Sequence, residues 1–172
     1  MGTRANIIIE ETMSLDTPVY LYIHSDGYPE EMVPLIAEFS KLYRERRGYF
    51  DIGHYAAQLL VFLVQRAAED RLAYAEKERA YEENNPSMPK STYIKQIFDT
   101  NGNDFLGFCI HPWINADIAY AYVIRDGAVE AYETPGDTTE NRKLWDKLTT
   151  KPQDKMIFEG RIPKKWKPAK AA

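Results

Sequence analysis

Tyr20-Leu21-Tyr22-Ile23-His24-Ser25-Asp26-Gly27-Tyr28-Pro29 is the stretch whose reading decides the fold. Side chains of two kinds alternate through Ile23, which predicts a strand from Val19 to Asp26. Asp26-Gly27 ends it, and Gly27 can take the positive φ of a tight turn. Pro29 suits the first turn of a helix, and Glu30 and Glu31 complement its dipole.

Working outward, residues 3–11 are rich in β-branched side chains and predict a partner strand. Residues 12–17 form the loop of an N-terminal hairpin. Pairing Ile9 with Leu21 and Ile7 with Ile23 makes one face apolar. That register sets Arg4 opposite Asp26, Asn6 opposite His24, Ile8 opposite Tyr22 and Glu10 opposite Tyr20. Leu35, Ile36, Phe39, Leu42 and Tyr43 follow helical spacing, which predicts a first helix over Pro29 to Arg47, stopped by Gly48. Asp51 is a natural N-cap for a second helix. Its segment Ala56–Val64 is apolar nearly all round, which predicts a buried central helix. From Arg66 charge dominates, leaving Leu72, Tyr74, Ala75 and Tyr81 as a thin apolar stripe. This part reads either as a solvated helix or as a partner-binding arm.

Asn84 to Lys90, with Pro86 and Pro89, is a linker. Tyr93, Ile94, Ile97 and Phe98 mark a short helix. Three strands follow at 105–111, 117–125 and 128–133, with Asp126-Gly127 as a hairpin turn. Residues 137–148 read as a helix, and 156–158 as a last strand. The expected fold is α+β: an antiparallel sheet, made of the N-terminal hairpin and a three-strand meander, with two main helices packed chiefly on one face. Tyr120 and Tyr122 echo Tyr20 and Tyr22, and would form a tyrosine ladder if their strands were neighbours. The expected organisation is one domain over 1–160 with a charged helical extension near 66–90, then a basic tail at 161–172.

Composition narrows the function. The 172 residues carry a formal charge of −4, and the tail alone contributes five bases and no acid, so the body stands at −9. An acidic body argues against duplex nucleic-acid binding, which needs a basic footprint. One cysteine, Cys109, excludes an internal disulfide and fits a reducing compartment. With three histidines beside it, a Cys/His zinc centre is not expected. No apolar run reaches membrane-spanning length and no secretion signal opens the chain, so the expected location is the cytoplasm.

Met1-Gly2-Thr3-Arg4-Ala5, then Tyr22-Ile23-His24-Ser25-Asp26-Gly27-Tyr28-Pro29, resemble a family of small uncharacterised phage and prophage proteins. The likeness continues at Gly53, Ala56-Ala57-Gln58-Leu59, Gly107 to Pro112 and Asp117 to Tyr122. The charged segment 66–90 and the basic tail depart from that pattern. The resemblance implies a phage or mobile-element setting and no particular reaction. Small proteins of that setting often inhibit a host protein or sequester a defence signal.

Three groups of residues carry chemistry. Arg4, Asn6, His24 and Asp26, with Tyr22 and Tyr28 nearby, bring a cation, an amide, an imidazole and a carboxylate to one place. They suit a small anionic or nucleotide ligand; equally, an Arg4–Asp26 pair could simply pin the hairpin. Tyr20, Tyr22, Tyr28, Tyr120, Tyr122 and Tyr132 suit sheet packing, a protein interface or base stacking. Cys109 and His111 share a strand face, but that spacing does not by itself activate a thiol. His54 is expected as a polar group at a helix end. No phosphate loop, dinucleotide fingerprint, HExxH or nucleophile elbow is present. No cofactor is expected. The leading expectation is a non-enzymatic protein of host-takeover or anti-defence type that binds and inhibits a host macromolecule. Tyr74, Tyr81, Lys164, Lys165 and Trp166 are its contact candidates. The alternative is a small-ligand binder, such as a nucleotide sponge, using the Arg4/Asn6/His24/Asp26 face.

Overall fold

The computed structural model describes residues 2–10, 18–102, 107–111, 118–125 and 128–134, and the backbone of 156–160. The expected helix at 137–148 and the tail at 161–172 lie outside the described residues. Six strands and three helices follow in chain order. They are β1 (Ala5–Glu10), β2 (Val19–Ile23), α1 (Pro29–Arg47), α2 (Ile52–Asn84), α3 (Thr92–Asp99), β3 (Phe108–His111), β4 (Tyr120–Arg125), β5 (Ala128–Glu133) and β6 (Met156–Gly160). The described parts of 1–59 and 107–172 make one compact unit, and 60–106 make a second.

The first unit is α+β. Its six-stranded sheet has the order β3-β2-β1-β4-β5-β6. All pairings are antiparallel except β1 with β4, which is parallel. Two expectations are corrected here. The sheet is mixed, and β3 does not join β4 and β5 in a meander; it pairs with β2 at the far edge. The meander is β4-β5-β6 instead. Ile7-Ile8-Ile9 supplies the reason: a run of adjacent apolar side chains on one strand needs burial on both faces. All three are fully buried, so β1 belongs in the interior with a partner on each side. β3 is short and Ile110 is 60% exposed, as suits an edge.

The hairpin register is also corrected. Ile7 pairs with Leu21 and Ala5 with Ile23, two residues from the expected alignment. Side chains alternate with period two, so an even shift keeps every residue on its expected face while changing its opposite number. One face holds Ala5, Ile7, Leu21, Ile23, Tyr122 and Ile124; the other holds Asn6, Ile8, Tyr20, Tyr22, Ala121 and Val123. Tyr120 and Tyr122 therefore lie on the opposite face from Tyr20 and Tyr22, and β1 separates their strands. No tyrosine ladder forms.

The turn into α1 is held by Gly27. Its N–H donates to Thr3 O at 2.9 Å, and its carbonyl accepts from the Tyr122 hydroxyl at 2.8 Å. The positive φ belongs to Asp26 (59°), not to Gly27 as the sequence suggested. Glycine is required at 27 for space. A Cβ there would lie 2.6 Å from Ala5 Cβ and 2.9 Å from Thr3 O. α1 begins at Pro29, has Glu30 and Glu31 in its first turn, and ends at Gly48 with φ 74°. Asp51 Oδ1 accepts from His54 N–H at 2.7 Å, capping α2. Tyr55 ties the two helices, its ring 5.0 Å from those of Phe39 and Tyr43 and its hydroxyl 2.5 Å from Ser40 Oγ.

α2 is not buried all round. Ile52, Tyr55, Ala56, Leu59 and Leu63 form one buried stripe, whereas Val61 is 50% exposed. In the second unit α2 continues without interruption to Asn84 and packs against α3 through Ala75, Ile94 and Ile97, flanked by Leu72 and Phe98. Ser91 caps α3, and Asn101 (φ 52°) and Gly102 close it with hydrogen bonds back to Phe98 O and Ile97 O. That pair of bonds is a Schellman ending. The expected single stripe on α2 splits. At about 100° per residue, Tyr74 and Tyr81 fall roughly opposite Leu72 and about a third of a turn from Ala75, and they are 51% and 54% exposed.

Gly27→Ala is expected to cost about 2 kcal/mol or more, because overpacking a closed site forces backbone to move. Gly53→Ala is the control, with only Asp51 Oδ1 at 3.7 Å from the added carbon. Urea denaturation of both variants checks the contrast, and equal stabilities would refute it. A second expectation concerns pH. Burial, against the partial relief of Ser40 and Arg44, pushes the Tyr55 hydroxyl up to about 12. An unfolded tyrosine ionises near 10. The raised native value therefore adds stability that is complete below about pH 10 and is lost as pH rises toward 12. Tyr55→Phe should lose less stability than wild type across that window, measured by denaturation at each pH.

Candidate functional site

The face of the sheet that carries Asn6 and Ile8 holds the candidate chemistry. Two cross-strand rows run along it. One is Cys109–Tyr22–Asn6–Ala121–Tyr132; the next is His111–Tyr20–Ile8–Val123–Glu130. Tyr22 stands at the centre of the polar end. Its hydroxyl is 3.1 Å from His24 Nδ1. The rings of His24 and His111 stand edge-on to it, with centroids at 6.1 and 5.7 Å. Burial raises the Tyr22 phenol, which the Arg4 cation offsets only in part.

The backbone explains how these groups meet. The observed register, continued one step past Ala5–Ile23, brings Arg4 level with His24. His24 N–H donates to Gly107 O at 2.9 Å, which fastens the end of β2 to the start of β3. Gly107 has φ 69°, and a Cβ there would reach within 3.0 Å of His24 Cβ. His24 itself is exposed, whereas Arg4, Tyr22, Cys109 and His111 are half-buried.

The six residues expected to gather do so only in part. Tyr22 and His24 come together, and the Arg4 charge reaches the Tyr22 phenol. Asn6 lies opposite Tyr22, not His24, and is fully buried, so it forms the floor. Asp26 lies past the ladder, in the bend, and the register does not set it across from Arg4. Tyr28 is on the other face, its ring 6.3 Å from Tyr120. His111 and Cys109 join the group instead. Their shared strand parity was visible in the sequence, but the pairing of β3 with β2 was not. Burial pushes the Cys109 thiol up, away from the thiolate a nucleophile needs. Among the described residues no three His, Cys, Asp or Glu side chains are placed to hold a metal.

A second polar group occupies the same face. Arg125 bridges Glu10 and Glu130, the latter at 2.6 Å, and Tyr132 donates to Glu130 at 2.5 Å. Burial lowers the affinity of Arg125 for its proton, but the two glutamates more than reverse this. Burial and Glu130 together hold Tyr132 protonated well above the ordinary range. This group joins β1, β4 and β5, with one guanidinium held between two carboxylates.

Of the contact candidates, Tyr74 and Tyr81 lie exposed on the second unit. Lys164, Lys165 and Trp166 lie outside the described residues. Among the described residues no helix is long and apolar enough to cross a membrane. Compared with known proteins, the chain matches no family model, no curated protein and no solved structure.

Arg125→Met should destabilise the protein by about 3 kcal/mol, because it strands two largely buried carboxylates. Chemical denaturation measures it. A loss below about 1 kcal/mol would show that the bridge is solvated rather than structural.

Proposed function

We propose that this protein works as a non-enzymatic binding protein that engages a macromolecular partner, a protein, through the outward face of α2. One observation carries the reading. Tyr74 and Tyr81 stand one heptad apart and half exposed, while the opposite stripe of the same helix is already filled by α3. Tyrosine is among the residues that most often dominate protein interfaces, because its ring buries area at small entropic cost. Among the described residues Ala75, Ile94 and Ile97 form a buried cluster of the second unit, with Leu72 and Phe98 against it.

Charge agrees with a protein partner. Residues 66–83 carry six acids and four bases, and Arg66–Glu69 and Arg79–Glu83 pair along the helix. Mixed charge around an aromatic centre is the ordinary composition of an interface rim. If the chain comes from a phage or mobile element, the partner is a host macromolecule and binding blocks it.

The test is capture from host lysate with the full chain as bait, followed by affinity measurement on the captured protein. Tyr74→Ala with Tyr81→Ala is expected to weaken that binding at least about tenfold. Helix content and melting temperature should stay unchanged, since both side chains point away from the core. Undiminished binding by this variant would discard the reading.

A further inference from the structure

We infer that β3 is a self-pairing edge: two copies of this chain join their sheets by antiparallel pairing of β3 with β3, about a two-fold axis at Cys109. The inference is independent of the α2 reading.

The first argument is the hydrogen-bonding pattern. His24 N–H donates to Gly107 O, and the β2–β3 register continued one step makes these two residues opposite numbers. In an antiparallel ladder, hydrogen-bonded and non-hydrogen-bonded pairs alternate. Tyr22–Cys109 and Tyr20–His111 are then the bonded pairs, and the N–H and C=O groups of Phe108 and Ile110 point away from β2. β3 ends the strand order, so among the described residues no strand meets these groups. They lie symmetrically about Cys109. Laid antiparallel on a second copy, Phe108 exchanges both bonds with the partner's Ile110, and Ile110 with the partner's Phe108. Every outward group of the two residues is satisfied. A two-fold interface needs such a self-complementary patch.

The second argument is the side chains. Phe108 and Ile110 share the face of Ile23 and Leu21. Among the described side chains of the strands, Ile110 is the one large apolar group left exposed. Self-pairing sets it directly across from the partner's Phe108, an apolar cross-strand pair made twice. Edges that avoid pairing carry lysine, proline or a bulge. Phe108–His111 has no lysine, proline or acid, and its ladder with β2 runs without a shift. β2 beside it, Val-Tyr-Leu-Tyr-Ile, is also free of charge. The repulsion that an acidic body imposes on a second copy is therefore low along this edge. The other edge strand, β6, contains Glu159. Four residues a side make a small contact, so the dimer is weak and concentration-dependent.

The test uses the full chain. Self-pairing puts Cys109 opposite its copy in a non-hydrogen-bonded pair, with α-carbons about 4.5 Å apart. A disulfide bridges about 4.4–6.8 Å. Copper phenanthroline, which takes two electrons from a pair of thiols, should join wild-type chains into a Cys109-linked dimer. The comparison is Cys109→Ser with Ile110→Cys. Chance collision would favour the exposed position 110. The ladder offsets 110 from its copy by two residues, so that variant should cross-link at least about tenfold more slowly. In reducing buffer, sedimentation velocity should show a dimer fraction that rises with concentration, and Ile110→Lys should weaken association at least about tenfold. That side chain already lies in water, so the variant keeps its melting temperature. Tyr74→Ala with Tyr81→Ala should dimerise as wild type does, which separates this edge from the α2 surface. A monomer at millimolar chain overturns the inference, and so does undiminished association in Ile110→Lys. Cross-linking at 110 as fast as at 109 overturns the two-fold register.

Discussion

The closeness of Gly27 to β1 is the constraint on which the rest of the first unit depends. Three elements meet at that one residue. Its N–H is tied to the chain just before β1, a side chain on it would collide with Ala5, and its carbonyl is held by Tyr122 from β4. A buried hydroxyl that lost this carbonyl would remain as an unsatisfied donor, a cost greater than the net worth of the bond. The turn therefore sets the start of α1, and it does so against the two central strands. The polar corner on the other face inherits its geometry from the same strands, since Arg4 and His24 lie just beyond the β1–β2 ladder.

Helices were the most legible part of the sequence because their ends are decided locally. Pro29, Gly48 and Asp51 each act within one turn of where they stand, and α1 spans the expected residues. Strand faces were legible for a similar reason: parity survives a register error of two. Opposite numbers were not legible, because nothing within β1 or β2 distinguishes an alignment from one shifted by two. Strand order was hidden further still. The parallel β1–β4 pair joins segments distant in sequence, and its one local sign was the unbroken run Ile7-Ile8-Ile9.

The candidate site shows the same limits. The sequence marked Tyr22 and His24, which do meet, and Arg4, whose charge reaches Tyr22, because parity alone puts them on one face. It also drew in Asp26 and Tyr28, which follow the bend and leave the sheet's register. It could not bring in His111, whose place depends on β3 crossing to the far edge. On α2 the sequence grouped Leu72, Tyr74, Ala75 and Tyr81 as one stripe; the helix turns them to opposite sides. Polar groups on the sheet face then sort by purpose. Arg125 bridges two carboxylates and ties the strands, whereas Tyr22 stands by two imidazoles.

The parallel β1–β4 pairing has a consequence for how the chain comes off the ribosome. Ala5 pairs with Tyr120, 115 positions later. β1 is thus made first but gains its second neighbour only after both α2 and α3 have emerged. Closing so long a loop is entropically slow, and folds dominated by such contacts fold slowly. During that interval the three isoleucines have one covered side. The edge that β4 will cover stays open until β4 is made, and transiently unpaired strand edges of this kind favour association during folding.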